Sequence, residues 1–234
     1  MLAAFLVAAA FASLPPDAPR GAGLDVYTSY CASCHGADLR GGPKGPSLRG
    51  GGAAGADFWV STGRMPAAVP WLQVAHRGQQ PYLTPQQQDL VVRYVASAAP
   101  GPPIPRVIAN GDAERGRALF EQNCMHCHGA DMRGGSIGRV DWAPSLDRAT
   151  VTQVAEAIRI GPGQMPRFSA HQIDAAALDD VATYLTSMRG STHFVGFPIR
   201  AGGAVPEGLY GWLAAAALGF FAFAFWSGDE KRDT

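Results

Sequence analysis

The chain has 234 residues, charged side chains make up 16% of it, and its formal net charge is zero. That length allows one or two domains with modest cores. The neutral balance argues against a nucleic-acid-binding protein, which usually carries a basic stripe or an extreme pI. Glycine (29 residues) and proline (18 residues) are both frequent, so much of the chain should be loops and short helices, and small domains of this kind usually need a cofactor or cross-link for stability.

The amino-terminal segment, residues 1–14, is apolar and rich in alanine. Its small residues around Ala12 are typical of the cleavage site of an export signal, although no basic residue precedes Arg20. The segment is also shorter than the about 20 residues that a membrane-spanning helix needs. We therefore predict a signal-like segment or a residual anchor, followed by a linker over residues 15–23.

Two cysteine–histidine pentapeptides dominate the rest of the chain. They are Cys31-Ala-Ser-Cys34-His35 and Cys124-Met-His-Cys127-His128. Cys-x-x-Cys-His is the pattern on which a c-type haem is attached covalently, with both thiols linked to the haem and the histidine binding its iron. Because the two copies use all four cysteines, the sequence predicts two covalently bound c-type haems.

Disulfides and zinc are weaker interpretations of the four cysteines. An exported chain can form disulfides, but here a histidine directly follows the second cysteine both times, and methionines recur at matching places downstream. Zinc is weaker still, because His35 and His128 adjoin a cysteine instead of standing at the ligand spacing of a zinc finger.

The chain is an internal repeat of two units, predicted over residues 24–99 and 110–190, with a proline-rich linker over 100–109. A glycine stands eight residues and an aromatic residue four residues before each first cysteine, a spacing that places both on one face of a helix. Each unit ends in a helix-like segment with a tyrosine, and the glycine should let this closing helix cross tightly over the first. The aromatic residues also suit ordinary core positions. The matched residues are Gly23 and Gly116, Tyr27 and Phe120, and Tyr94 and Tyr184.

Each unit offers one methionine that could bind the far face of its haem. Met65 lies 30 residues after His35, and Met165 lies 37 residues after His128. Both precede a proline, which favours an extended conformation for the methionine. Methionine sulfur is a soft ligand, and Met/His ligation raises the haem potential. We predict these two histidines and two methionines as the axial iron ligands.

A proline stands between the histidine and the methionine of each unit, in the sequences Gly-Pro46-Ser-Leu and Ala-Pro144-Ser-Leu. A metal-bound histidine usually needs a hydrogen-bond partner that fixes its orientation. In class I cytochromes c, which both units resemble, the carbonyl of this proline is that partner. A plain turn is the alternative, and the repetition favours the supporting role for Pro46 and Pro144.

The remaining methionines and histidines are weaker ligand candidates. Met132 is too close to His128 to cross the ring, and Met188 should pack on the closing helix. His76 could compete with Met65. The other histidines, His126, His171 and His193, lack a ligand pattern.

The carboxy-terminal part begins with a glycine-rich connector over residues 191–208. Residues 209–226 follow without a charge and would span roughly 27 Å as a helix, with aromatic residues at both ends as at a membrane interface. We predict a single C-terminal transmembrane helix there and a cytoplasmic tail over 227–234. The haem units would then lie on the extracytoplasmic side of the cell membrane. A buried helix of a soluble protein is the alternative.

The predicted fold is therefore mainly α, with two tandem class I cytochrome c-like helical domains and one C-terminal transmembrane helix. The surroundings of both methionines and the sequence Pro206-Glu-Gly before the span resemble one family. It is the dihaem cytochrome c subunit of the actinobacterial-type cytochrome bcc complex, a menaquinol–cytochrome c reductase. The methionine motifs are Ser-Thr-Gly-Arg-Met65-Pro and Gly-Pro-Gly-Gln-Met165-Pro-Arg-Phe. The resemblance covers nearly the whole chain from Asp25 onward, with a shorter amino-terminal hydrophobic stretch as the main departure.

This resemblance implies electron transport in a respiratory chain. The Rieske iron–sulfur protein would reduce one haem, and the electron would pass through the other haem to a haem-copper oxidase. Cytochrome b and the Rieske subunit would be partners in the translocase complex, and quinol oxidation would take place on those other subunits. The sequence shows no paired carboxylates, activated nucleophile or phosphate loop, so we expect no substrate chemistry from this chain itself.

Three other functions stay open at this point. The chain could be the electron-accepting cytochrome subunit of a periplasmic dehydrogenase, although such subunits often carry three haems. It could be the dihaem subunit of a haem-copper oxidase, in which the anchor is usually amino-terminal. A dihaem peroxidase would need one haem with an open or displaceable ligand, which the repeated Met-Pro sequence argues against.

Overall fold

The computed structural model describes residues 20–67, 80–138, 142–189, 209 and 211–221. Within them the chain is mainly helical, as predicted, and it forms two units with the same order of helices. The elements of the first unit are α1 (Arg20–Tyr30), α2 (Ala32–His35), α3 (Gly52–Ser61) and α4 (Pro85–Ala98). Those of the second are α5 (Ala113–Asn123), α6 (Met125–His128), β1 (Gly135–Ser136), β2 (Trp142–Ala143), α7 (Val151–Ile160) and α8 (Ala175–Met188).

The first and last helices of each unit cross at a glycine, which confirms the prediction from the repeat. A β-carbon on Gly23 would come within 2.6 Å of the carbonyl oxygen of Leu90 and 2.8 Å of the β-carbon of Tyr94. A β-carbon on Gly116 would come within 2.9 Å of the β-carbon of Tyr184. Because these distances are shorter than van der Waals contacts, only glycine lets α1 meet α4 and α5 meet α8 this closely.

The aromatic residues of the repeat pack at the same crossings. The rings of Tyr27 and Tyr94 have centroids 5.2 Å apart, and those of Phe120 and Tyr184 are 5.6 Å apart. Tyr27 and Phe120 are almost completely buried. Centroid distances of this size are favourable for aromatic pairs, so each crossing is closed by one glycine contact and one ring pair.

Polar caps fix where several helices begin. Thr84 and Gln87 form a capping box at the start of α4, and Thr150 and Gln153 form one at the start of α7. In each box the threonine hydroxyl accepts from the third residue of the helix, while the glutamine side chain accepts from the threonine amide. This pairs backbone donors that have no partner inside the helix. The aspartates Asp112 and Asp174 cap α5 and α8.

The apolar cores of the two units are arranged differently. In the first unit one buried cluster contacts both the attachment turn, through Cys31, and Met65. In the second unit one cluster contacts Cys124, while a separate cluster contacts Met165. In the first unit, a single cluster therefore contacts both the attachment turn and the methionine. In the second unit, each of these is contacted by a cluster of its own.

The proline-rich linker is fastened to both units. The amide of Ala54 on α3 donates to the carbonyl of Pro102, with an N–O distance of 3.0 Å. Further along, the amide of Ile108 donates to the carboxylate of Asp179 on α8 at 2.7 Å. The linker therefore follows the surface of each unit in turn.

Helices α3 and α7, which occupy equivalent places in the two units, pack against each other. A hydrogen bond from the side-chain amide of Gln153 to the hydroxyl of Ser61 crosses this contact at 3.2 Å. We call this contact the α3–α7 interface. It brings one internal helix of each unit into direct contact.

Several predicted segments lie outside the described residues. These are the signal-like segment at 1–14, the connector over 191–208 and the tail over 227–234, as well as His76 and His193. Residues 211–221 of the predicted span are helical, with exposed side chains. Within the described ranges, no helix combines the length and the hydropathy that crossing a membrane would require.

Candidate functional site

Each pentapeptide forms one tight turn that continues directly from a long helix. The amide of Cys31 donates to the carbonyl of Tyr27 at 2.8 Å, and the amides of Cys34 and His35 donate to the carbonyl of Cys31 at 3.1 and 3.0 Å. A single turn therefore carries two thiols and an imidazole. This is the arrangement that attaches a haem at two points beside an iron ligand.

The second pentapeptide repeats this geometry closely. Cys124 donates to the carbonyl of Phe120 at 2.8 Å, and Cys127 and His128 donate to the carbonyl of Cys124 at 3.2 and 2.9 Å. The backbone angles of the first cysteines also agree, with φ and ψ of −123° and −39° at Cys31 and −121° and −35° at Cys124. Equal backbone geometry in two sequences that differ at their variable positions indicates that the same chemistry selects both turns.

All four cysteines are free thiols, so the disulfide interpretation does not describe this structure. Burial raises the pKa of Cys31 and of Cys124 to about 11, with a smaller contribution from the second cysteine of each pair. These two thiols are therefore protonated at neutral pH. No group of three or more potential ligands that could hold a metal ion occurs in the described ranges.

Each histidine is held by the carbonyl of the predicted proline. Nδ1 of His35 lies 2.7 Å from the carbonyl oxygen of Pro46, and Nδ1 of His128 lies 3.0 Å from that of Pro144. Since a carbonyl only accepts, each Nδ1 carries a proton, and in the neutral imidazole Nε2 then keeps its lone pair for a metal. Burial lowers the pKa of His128, with the Pro144 carbonyl acting in the opposite direction. The neutral form that binds metals is thereby favoured.

The proline segments are themselves held by two residues in a left-handed conformation, which sequence reasoning missed. Leu39 and Met132 both have a φ of 60°. The carbonyl of Leu39 accepts from the amide of Leu48 at 3.0 Å, and that of Met132 accepts from the amide of Leu146 at 2.8 Å. A left-handed conformation is unusual for such side chains, yet both are buried. The signal was available in the sequence, where Gly-Ala-Asp-x-Arg-Gly-Gly follows the histidine in both units.

The predicted methionines lie at the end of a turn in both units. The amide of Met65 donates to the carbonyl of Trp59 at 2.9 Å, and that of Met165 donates to the carbonyl of Pro162 at 3.1 Å. Both side chains are half-buried against apolar clusters. Their role as axial ligands stays a prediction.

The weaker candidates for iron ligands are either exposed or packed in the apolar core. Met132 is buried, and Met188 packs against the apolar cluster of the attachment turn. His126 and His171 are exposed. Each unit therefore presents one coherent set of thiols, imidazole and proline carbonyl within the described residues.

The two units match different family models. Residues 21–99 match the model described as cytochrome c, and residues 111–185 match that of cytochrome c oxidase, cbb3-type, subunit III. Together they show two cytochrome c-type domains, which confirms that part of the predicted fold.

Relatives cover most of the chain. A protein of Mycobacterium tuberculosis named "cytochrome bc1 complex cytochrome c subunit" is 34% identical over 221 residues, which is 89% of this chain and 77% of the relative. The protein of that name from Mycobacterium leprae is 33% identical over 216 residues, covering 88% and 74%. The chain belongs to the family of cytochrome bc1 complex cytochrome c subunits.

A second kind of relative matches the chain less completely. A cbb3-type cytochrome c oxidase subunit CcoP of Rhodobacter capsulatus is 33% identical over 196 residues, covering 73% of this chain and 63% of the relative. The family recognised from the methionine motifs is thus confirmed, and the oxidase subunits share the same type of domain. Membership in the cytochrome c family implies covalently bound c-type haem and electron transfer.

Proposed function

We propose that this chain carries two c-type haems and transfers single electrons from a Rieske iron–sulfur protein to a haem-copper oxidase. The donor would belong to a menaquinol-oxidising cytochrome bcc complex, in which cytochrome b is a further partner. The observation that carries the proposal is the presence of two complete attachment turns with the same hydrogen bonds. The names of the relatives, which are subunits of a cytochrome bc1 complex, support the assignment of this chain to such a complex.

The residues of each turn fit a covalently bound haem. Cys31 and Cys34 would hold one and Cys124 and Cys127 the other, since each pair is free, and the first thiol of each pair is kept protonated by burial. A bound haem supplies one-electron redox chemistry. The chain's own contribution is to present Nε2 of a buried imidazole and to hold its Nδ1 proton on a proline carbonyl.

Met65 and Met165 would complete the iron coordination and close both sites to other ligands. Each packs against an apolar cluster, an environment that suits a thioether ligand. Closed coordination suits a carrier better than a peroxidase, which needs an open or displaceable ligand. We therefore propose no substrate reaction on this chain.

The carboxy-terminal helix would anchor the chain in the cell membrane, with the haem units on the extracytoplasmic side. Its described part exposes large apolar side chains, which is unusual for a surface in water. These are Trp212, Leu213, Leu218, Phe220 and Phe221. A lipid surface is the environment in which such exposure is favourable.

The haem content is tested by a pyridine haemochrome assay on the purified chain. We expect two c-type haems per chain in the parent protein. Each of the variants Cys34→Ala and Cys127→Ala should contain one c-type haem per chain. A surface variant such as Ser29→Ala should keep both haems. One haem in the parent would overturn the proposal.

The partners are tested by gentle detergent purification through this chain. Co-purification of a cytochrome b, a Rieske protein and a haem-copper oxidase is the expected result. A periplasmic dehydrogenase in their place would overturn the assignment of the electron donor.

A subunit of a cbb3-type oxidase is the second candidate, because the second unit matches that family model. The same purification separates the two. An oxidase recovered without cytochrome b or a Rieske protein would favour the oxidase subunit, whereas recovery of all three supports the bcc subunit.

A further inference from the structure

Glu156 is a buried carboxyl group that the attachment turns do not use. It lies on α7 of the second unit, and none of its surface is exposed. Neither carboxylate oxygen has a hydrogen-bond partner. A buried carboxylate without a partner is costly, and such a group usually takes up a proton instead.

Asp57 is the charged neighbour of Glu156, and it comes from the other unit. It lies on α3, across the α3–α7 interface. Burial, as the largest cause, together with the side-chain proximity and the charge of the Asp57 carboxyl, raises the pKa of Glu156 to about 9. Two carboxyl groups this close cannot both ionise without repulsion. Both the burial of Glu156 and its proximity to Asp57 therefore depend on the contact between the units.

No basic group in the described part of the chain neutralises Glu156 through an ion pair. On its own helix, the guanidinium of Arg159 donates to the carbonyls of Phe168, Ser169 and Ile173. After α3, Arg64 lies over the ring of Phe58, 5.2 Å from its centroid.

The titratable groups of the other elements around α7 are engaged elsewhere or exposed. On α8, Asp179 accepts from the amide of Ile108, and Asp180 accepts from the amide of Asp112. The remaining titratable groups on α8 and on the segment before it are Tyr184, Arg167, His171 and Asp174. Tyr184 pairs with the Phe120 ring, Arg167 and His171 are exposed, and Asp174 caps α8. Among the described residues, Asp57 is therefore the charged group that acts on Glu156.

We propose that Glu156 is a proton-binding site at the contact between the two haem units, and that loss of this proton weakens the contact. With the proton bound, the side chain is neutral and can stay buried against α3. Without it, an unpaired negative charge faces a second carboxylate. Opening the α3–α7 interface then lets water reach both groups.

The direction of the pH dependence follows from the raised pKa. A carboxyl group with a raised pKa in the closed arrangement favours that arrangement fully below its ordinary value of 4.5. The advantage is lost as the pH rises towards about 9. The contact should therefore loosen through the neutral and mildly alkaline range.

Hydrogen exchange on the haem-loaded full chain in detergent tests this coupling. The amides of α3 and α7 report the interface, and those of α1 and α5 serve as an internal reference. After correction for intrinsic exchange, we expect the protection of α3 and α7 relative to the reference to fall by up to about tenfold per pH unit between pH 6 and 9, the limit for one proton. Glu156→Gln should remove this pH dependence.

Two further variants separate protonation from simple contact. Ser61→Ala removes the hydrogen bond from Gln153 and leaves the capping box of α7 in place, so it should lower protection equally at every pH. Asp57→Asn should make the fall smaller and end it at a lower pH, because Glu156 then loses its proton more readily. A pH dependence that persists in Glu156→Gln would overturn the proposal.

Infrared spectroscopy of the parent chain gives a second test that does not depend on how the variants fold. The C=O stretch of a protonated carboxyl group should be present at pH 6 and diminish by pH 9. If no protonated carboxyl is detected at pH 6, Glu156 is ionised and the proposed site does not exist.

Discussion

The two cytochrome c-type units build the same helix crossing but secure it with different polar groups. In the first unit, the hydroxyl of Tyr27 donates to the carbonyl of Gly36 at 2.6 Å, and Leu90 occupies the crossing. Burial raises the pKa of Tyr27 to about 12, with Cys31 adding a smaller effect, so the hydroxyl stays a donor. The first unit thus ties its leading helix to the loop after the haem-attachment turn.

The second unit has Phe120 in place of that tyrosine and secures the crossing with an ion pair. Asp180, which takes the place of Leu90, accepts from the amide of Asp112 at 2.6 Å and from Arg115 at 2.9 Å. The tie therefore runs between the leading and closing helices. Both units thus share the glycine contact and the ring pair. The polar interaction that secures the crossing lies at the C-terminal end of the leading helix in the first unit and near its N-terminal end in the second.

Among the changes that distinguish the two units, replacement of the predicted axial ligands should have the largest effect. Met65→His should lower the potential of one haem and Met165→His that of the other, each by roughly 0.1 V or more, because the axial ligand is a main determinant of haem potential. A spectroelectrochemical titration should show one wave moving in each variant. Met188→Leu, which keeps the packing volume on α8, should move neither wave. If both waves stay in place in Met65→His and Met165→His, the ligand assignment is wrong.

The ion pair of the second unit should make that unit more sensitive to acid. Arg115 lowers the pKa of Asp180, while burial acts in the opposite direction. A carboxylate with a lowered pKa stabilises the fold above its ordinary value of 3.8, and the stabilisation is lost as the pH falls through the lowered value. Asp180→Asn should cost the second unit about 1–3 kcal/mol at neutral pH and remove this part of the acid sensitivity.

Hydrogen exchange can follow both units in one sample. Protection of α5 and α8 should decrease in acid before that of α1 and α4 in the parent chain. Glu121→Gln, which removes a partly exposed ion pair with Arg117 on α5 that does not touch the crossing, should leave the order unchanged. Equal acid sensitivity of the two units in the parent would show that the ion pair of Asp180 does not determine the acid stability of the second unit.

The smallest effect should come from the tyrosine hydroxyl. Tyr27→Phe removes one hydrogen bond and should cost the first unit about 0.5–1.5 kcal/mol. Phe120→Tyr offers the second unit the same bond to Gly129 and should stabilise it by no more than that. Urea unfolding followed by hydrogen exchange in each unit measures both changes. Loss of stability in Phe120→Tyr would mean that the second unit has no room for the hydroxyl.

Local sequence was sufficient for the features that repeat. The glycine crossing and the aromatic pairs follow from spacings within one helix and from their recurrence 93 residues later, as with Gly23 and Gly116. The contact of His35 with Pro46 was anticipated from the resemblance to class I cytochromes c. Repetition within one chain gave each of these patterns a second, independent instance.

Features that depend on contact between distant segments could not be anticipated in this way. Glu156 appears in the sequence as an ordinary polar residue of a short helix, and its burial arises only because α3 packs on α7. The left-handed conformation of Leu39 and Met132 likewise depends on the segment that each one holds. The loop between histidine and proline also differs, since the partners are 11 residues apart in the first unit and 16 in the second. The longer loop forms the pair of strands β1 and β2.

The fastening of the linker at Pro102 and Ile108 affects how strong the contact between the units has to be. A free tether would leave the two units to find each other through chain entropy, whose cost grows with the length of the loop. A tether already ordered along both surfaces brings α3 and α7 together at high effective concentration. A small interface can then stay closed even though it contains an unpaired carboxyl, so the linker supplies the proximity that allows the interface to respond to a single proton.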